Sequence, residues 1–516
     1  MNNSINQQQN KFLGLLKLLT PLTLAVSGIM GAGSSAQALQ FNFTYAPGTR
    51  LEQMLGYEMA GRYWSNYLAD DVTLNIFIEP TNTLPTNVIG GAIPGVTSQN
   101  FNTVYQRLQA DATSSSDRTA LNTVYNQCDK SLISLLQSQC TGYNSLTTTR
   151  VSGLSDLEVQ SGVKKINLTR ANAKALGIIG ANDTGYDGYI LVSNLGNISR
   201  PLSWNYFSAT NSSNIIPTGT LDFFSVAVHE LTHTLGFISG IDSPEYADLL
   251  TKRSFITSDD MSKYTYLMDM FRLSQNSNFW NRPDISIGQD TMLSLDGGMT
   301  KLGNMSSGSG KFGGDGSQGS HWKKDGTYDG IMESGLGAGG TRKLVTNNDL
   351  TVLDALGWTL QQNNQDLTTI FNSAKSGLAT KMGVTTAWMD ANSAQAALSL
   401  TPGFIDANKN GYDDRGEALN KMVTSSGVYN WGWNGYWWGW NGYWWGWNGY
   451  WQNTANLTAD GFWQNTAWET LDEFADGEHD NTYSQTQDVP EPTATSGLLA
   501  IALLGFAVRF QLRCQN

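Results

Sequence analysis

Between Leu221 and Gly236 the chain is apolar on nearly every side of a helix, yet it carries two histidines and a glutamate. Leu221, Phe223, Phe224, Val226, Ala227, Val228, Leu231 and Leu235 leave no face for solvent, the pattern of a helix buried at the centre of a domain. Asp222 suits its first turn and Gly236 its C-terminal cap. Within it stands His229-Glu230-Leu231-Thr232-His233. Helical spacing puts His229 and His233 on one face, where both imidazoles reach one ion. Glu230 is rotated off that line, so it can orient a water without being a ligand. Burying these groups with nothing to bind would be costly. With only four histidines in the chain, chance is a poor explanation of the spacing. The fold must therefore wrap a core around a metal-binding helix.

Two imidazoles need a third ligand if one position is to stay open for water. Asp242 is one candidate, because a carboxylate can serve. His321, in Ser320-His321-Trp322-Lys323, is the other. The fourth histidine, His479, lies in an acidic stretch and reads as solvated. Gly330-Ile331-Met332-Glu333 follows His321. The order H-E-x-x-H-x-x-G-F, long insertion, His-Trp pair and later methionine resembles the leishmanolysin-like branch of the metzincins, over Val72 to Trp358. That resemblance implies an α+β metzincin-like zinc peptidase domain, a twisted sheet plus the active-site helix, with a small C-terminal extension. It implies zinc on His229, His233 and His321, with Met332 in a turn beneath the metal. Glu230 would then be the general base of a metalloendopeptidase acting on protein or peptide substrates. Ser239, where other metzincins place the third ligand, is a poor zinc ligand.

Alternation of Val72, Leu74, Ile76 and Ile78 predicts a strand. Gly185 to Asn194 reads as another, suited to aligning an extended peptide at a sheet edge. Thr346-x-x-Asp349 opens a helix that ends near Gly357 and closes the catalytic domain.

The ends of the chain carry sorting information. Lys11 and Lys17, an apolar stretch from Leu18 to Met30 and Ala36-Gln37-Ala38 predict a secretory signal over 1–38. Pro490-Glu491-Pro492, a short apolar run from Ser496 to Val508, and Arg509 and Arg513 resemble the PEP-CTERM sorting signal read by exosortases. Both motif sets together resemble exported PEP-CTERM zinc metalloproteases of cyanobacterial type. The sorting signal implies export to the cell envelope or extracellular matrix, with 488–516 as a transient membrane handle. In that oxidising compartment Cys128 and Cys140 are expected to pair, while Cys514 leaves with the tail.

Between the peptidase domain, 39–360, and the sorting signal lie two further regions. The first, 361–428, is helical and contains an EF-hand-like loop. Asp406, Asn408, Asn410, the Tyr412 carbonyl, Asp414 and Glu417 fall at calcium-ligand positions, with Gly411 at the turn. The second, 429–487, holds three copies of Trp-Gly-Trp-Asn-Gly-Tyr-Trp and an acidic linker. The Asn-Gly pairs predict turns between short aromatic strands, whose faces suit a matrix polysaccharide; a spacer without structure is the competing reading. A catalytically inactive surface- or matrix-binding protein acting through this repeat is the alternative to a protease. A formal charge of −13 argues against nucleic acid as a partner.

Overall fold

The computed structural model describes residues 39–393, apart from 47, 82–83, 85, 127–145, 149–156, 160–162, 209, 253–256, 276–281 and 363–364, together with the strand Ala467–Asp472. The secretory signal, Cys128 and Cys140, the calcium loop at 406–417, the aromatic repeat, His479 and the sorting signal lie outside the described residues.

The fold is α+β. Its largest sheet has six strands: β1 (Gln40–Tyr45), β2 (Thr73–Thr81), β3 (Val88–Pro94), β4 (Gly188–Ser193), β5 (Gly335–Gly337) and β6 (Ala467–Asp472). They run in the order β1-β2-β4-β3-β6-β5. β1, β2 and β4 are parallel, pairing Phe43 with Ile76 and Ile78 with Ile190. β3 runs antiparallel to β4 with Ala92 opposite Ile190, and β6 antiparallel to β3. The alternation read from Val72 to Ile78 is realised in β2, where Leu74, Ile76 and Ile78 are buried.

Gly185 to Asn194 requires a correction. Its strand, β4, is buried at every position and is bonded to β2 on one side and β3 on the other. With both ladders used, it has no edge to offer a peptide. The strand beyond it, β3, is the one beside the central helix.

That helix, α2 (Phe223–Leu235), is buried along its whole length. Helix α1 (Leu51–Ser65), which links β1 to β2, packs on it, and Trp64 Nε1 donates to the Val228 carbonyl at 3.2 Å. On its other side α2 lies close against β3. A Cβ at Gly90 would stand 2.5 Å from Glu230 Oε1 and 3.1 Å from Val226 Cγ1, so a side chain there would force strand and helix apart. Gly236 then ends the helix at φ 124°, a conformation that other residues rarely adopt.

Helix α3 (Asn347–Ala355) starts at Thr346 with the capping box expected from Thr346 and Asp349. Two more helices, α4 (Leu367–Met382) and α5 (Thr386–Ala391), follow, and Ile370, Phe371 and Ala374 of α4 join the main core. The described residues between α2 and His321 include short helices and strands. Arg272–Ser274, Thr291–Leu293 and Gly303–Met305 form an antiparallel meander, and Met268, Met270, Ile285 and Met305 in this part of the chain are all buried. Among the described residues no helix is long and apolar enough to cross a membrane.

Burial gives the core a pH dependence. Glu79 of β2 is pushed up to about 7 by desolvation, although the Tyr189 hydroxyl donates to it and works the other way. The folded chain thus holds this proton more tightly than the unfolded chain, whose value is near 4.5. Stability from this group is present below that value and is lost as pH rises through about 7. Glu79→Gln is expected to flatten that decline, read as a smaller fall in Tm than wild type between about pH 5 and pH 8.

Candidate metal centre

α2 carries His229 and His233 one turn apart, and the end of the insertion brings His321 to meet them. His229 Nε2 stands 3.1 Å from His233 Nε2 and 3.2 Å from His321 Nε2. All three rings are buried. Each opposite nitrogen is held by a backbone carbonyl. His229 Nδ1 donates to Ile331 at 2.7 Å, His233 Nδ1 to Phe237 at 2.8 Å and His321 Nδ1 to Gln318 at 3.1 Å.

Those carbonyls fix the tautomers. A carbonyl only accepts, so each Nδ1 carries a proton, and Nε2 is the nitrogen left to ligate when the ring is neutral. Burial holds His233 and His321 well below the usual imidazole value, and the neighbouring histidines add to the effect. Three buried imidazoles therefore turn their Nε2 atoms towards one point. Packed this closely in a dry interior they repel one another unless a cation stands between them. Nitrogens bound to tetrahedral zinc at about 2.0–2.1 Å would lie roughly 3.3–3.4 Å apart, close to the spacing here. The donor set fits a metal ion. Among the described residues it is the one group of His, Cys, Asp or Glu close enough to share one.

Glu230 is fully buried beside the histidines, with its carboxylate against Gly90 of β3. Met332 is buried in the turn whose Ile331 carbonyl orients His229, and the Trp322 amide donates to the Met332 carbonyl at 2.9 Å. The residue that ties this turn to the His321 segment is Asp349. Its carboxylate accepts Trp322 Nε1 at 2.8 Å and the Ile331 amide at 2.9 Å, besides capping α3. The T-x-x-D pattern signals the cap; the second task is visible only once the chain is folded.

A second tie holds the start of α2. Arg342, ten residues past Met332, pairs with Asp222 through Nε and Nη2 at 3.0 Å, both groups buried, while Asp222 caps the helix at Ser225. Nothing in the sequence marks Arg342 for this.

Asp242 is the alternative to His321 as third ligand. It is not part of the histidine cluster. Both its oxygens are engaged elsewhere, accepting from the Gly319 amide at 2.5 Å, the Ser320 amide at 2.9 Å and the Ser320 hydroxyl. Its carboxylate is committed to the 319–320 segment, and it is His321 that joins His229 and His233. Ser239, also set aside as a ligand, donates its hydroxyl to Asp269 at 2.5 Å.

No protein family, no curated protein and no solved structure matches the chain.

Proposed function

We propose that the chain is a zinc-dependent metalloendopeptidase, with His229, His233 and His321 as the zinc ligands and Glu230 as general base. One observation carries this reading: three buried imidazoles converge through Nε2, and the residue after the first of them is a buried glutamate. Nitrogen-only coordination by three protein ligands suits zinc and leaves a position open, the pattern of catalytic rather than structural sites. When bound, zinc would act as a Lewis acid and bring the pKa of a water towards about 7.

The chain's own residues supply the rest. Glu230 accepts a proton from the attacking water and delivers it to the amine that leaves as the peptide bond breaks. Carbonyls at Ile331, Phe237 and Gln318 keep the imidazoles in the ligating tautomer throughout. The buried wall formed by α2 and β3 excludes bulk water from the carboxylate. Resemblance to the leishmanolysin-like metzincins belongs to the same proposal, supported by the buried turn at Met332 and its contact with the His-Trp segment. Export and sorting at the cell envelope join it from the sequence alone.

The test is hydrolysis of a broad internally quenched peptide library by the full chain. Activity should vanish on chelation and return with about one zinc per chain. Zinc binding without cleavage of any library member would remove the peptidase reading and leave a binding protein.

A further inference from the structure

We propose that Asp242 is a positioning residue for His321, and that the chain's affinity for metal depends on it. The inference rests on the metal-centre reading but not on peptide hydrolysis.

Asp242 ends the short turn Gly240–Asp242, just beyond the metal-binding helix. From there its half-buried carboxylate reaches a segment far along the chain, accepting the Gly319 amide, the Ser320 amide and the Ser320 hydroxyl. The Ser320 oxygen accepts in turn from the Ser239 amide at 2.9 Å. Ser320 is thus held from both sides by the stretch that follows α2, and His321 is its neighbour. Arg272, fully buried, grips the other side, with Nη1 donating to the Gly319 carbonyl at 3.3 Å and the Ser306 carbonyl at 3.0 Å. Asp269 holds the Ser239 turn in place by accepting the Gly240 amide at 3.0 Å and the Tyr266 amide at 2.8 Å.

The consequence for the metal is geometric. His321 Nδ1 is oriented by the Gln318 carbonyl, which belongs to the segment that Asp242 clamps. Loosening 318–320 frees the imidazole to turn its Nε2 away from the other two. Metal binding must then order the third ligand as well as hold the ion. Groups that orient ligands from behind typically contribute 10–100-fold in metal affinity.

The experiment uses the full chain with zinc alone as probe, titrated in competition with a chromophoric chelator. Asp242→Asn is expected to weaken zinc binding by about 10–100-fold. Ser320→Ala, which removes one hydroxyl and keeps the carboxylate, should weaken it less. Combined with His321→Ala, Asp242→Asn should cost little more than His321→Ala alone, because it acts through that ligand. A merely structural role would lower Tm without this non-additivity. Wild-type affinity in a folded Asp242→Asn chain would overturn the proposal, as would a full additive loss in the His321→Ala background. If Asp242→Asn fails to fold, Ser320→Ala decides by the same two criteria. A wild-type chain that binds no zinc would overturn this inference together with the metal reading. One that binds zinc yet cleaves no peptide would remove the peptidase reading alone.

Discussion

Glu230→Gln is expected to lower peptide hydrolysis by about 10²–10⁴-fold while leaving zinc bound. Glutamine keeps the shape of the side chain, which matters because Glu230 is packed closely against Gly90. What it loses is the ability to accept a proton from water and return it. The three Nε2 donors are untouched by the change, so the ion should stay with unaltered stoichiometry. A matched loss of metal and activity would show that Glu230 holds the site together rather than moving a proton. Retention of both would show that another group is the base. Steady-state rates alongside metal analysis of the same sample separate these outcomes.

His321→Ala should produce the second large effect, on the metal itself. Structural zinc sites with four ligands bind with about 10–16 kcal/mol, so one ligand carries on the order of 3 kcal/mol, or about 10²-fold in affinity. The stabilisation that metal confers on folding should fall with it. Zinc at 100 times its Kd stabilises a folded chain by about 2.7 kcal/mol, and at the same zinc concentration the variant should lose most of that. His479→Ala is the control and should leave both affinity and zinc-dependent Tm unchanged. Wild-type affinity in His321→Ala would remove the third histidine from the site, whatever its position beside His229.

Much of the centre is legible in the sequence because local rules and burial agree there. α2 is apolar on all sides and carries its motif at helical spacing, so both its place in the core and its ligating face follow from one stretch of sequence. Thr346 and Asp349 announce the start of α3 for a similarly local reason. β4 shows where local reading fails. Tyr189-Ile190-Leu191-Val192 is a continuous apolar run, the pattern of a strand covered on both faces, so its interior position was available from the residues although an edge role was expected.

The choice between Asp242 and His321 is different in kind. Both side chains can ligate zinc, and both follow the helix motif. The His-Trp resemblance favours His321, and the fold of the insertion, with Arg272 and Asp269 around it, sets His321 beside His229 while Asp242 accepts from Gly319 and Ser320. The Asp222–Arg342 pair and the second role of Asp349 are hidden for the same reason, since each joins groups that become neighbours only in the folded chain.

The most direct test of the metal centre is X-ray absorption at the zinc edge on the full chain loaded with one equivalent of zinc. Three nitrogen ligands at about 2.0–2.1 Å with imidazole scattering, plus one oxygen ligand, are the predicted result, and the imidazole scattering should fall by one ring in His321→Ala. A shell containing sulfur, a shell with two imidazoles and a protein carboxylate, or a spectrum unchanged by His321→Ala would contradict it.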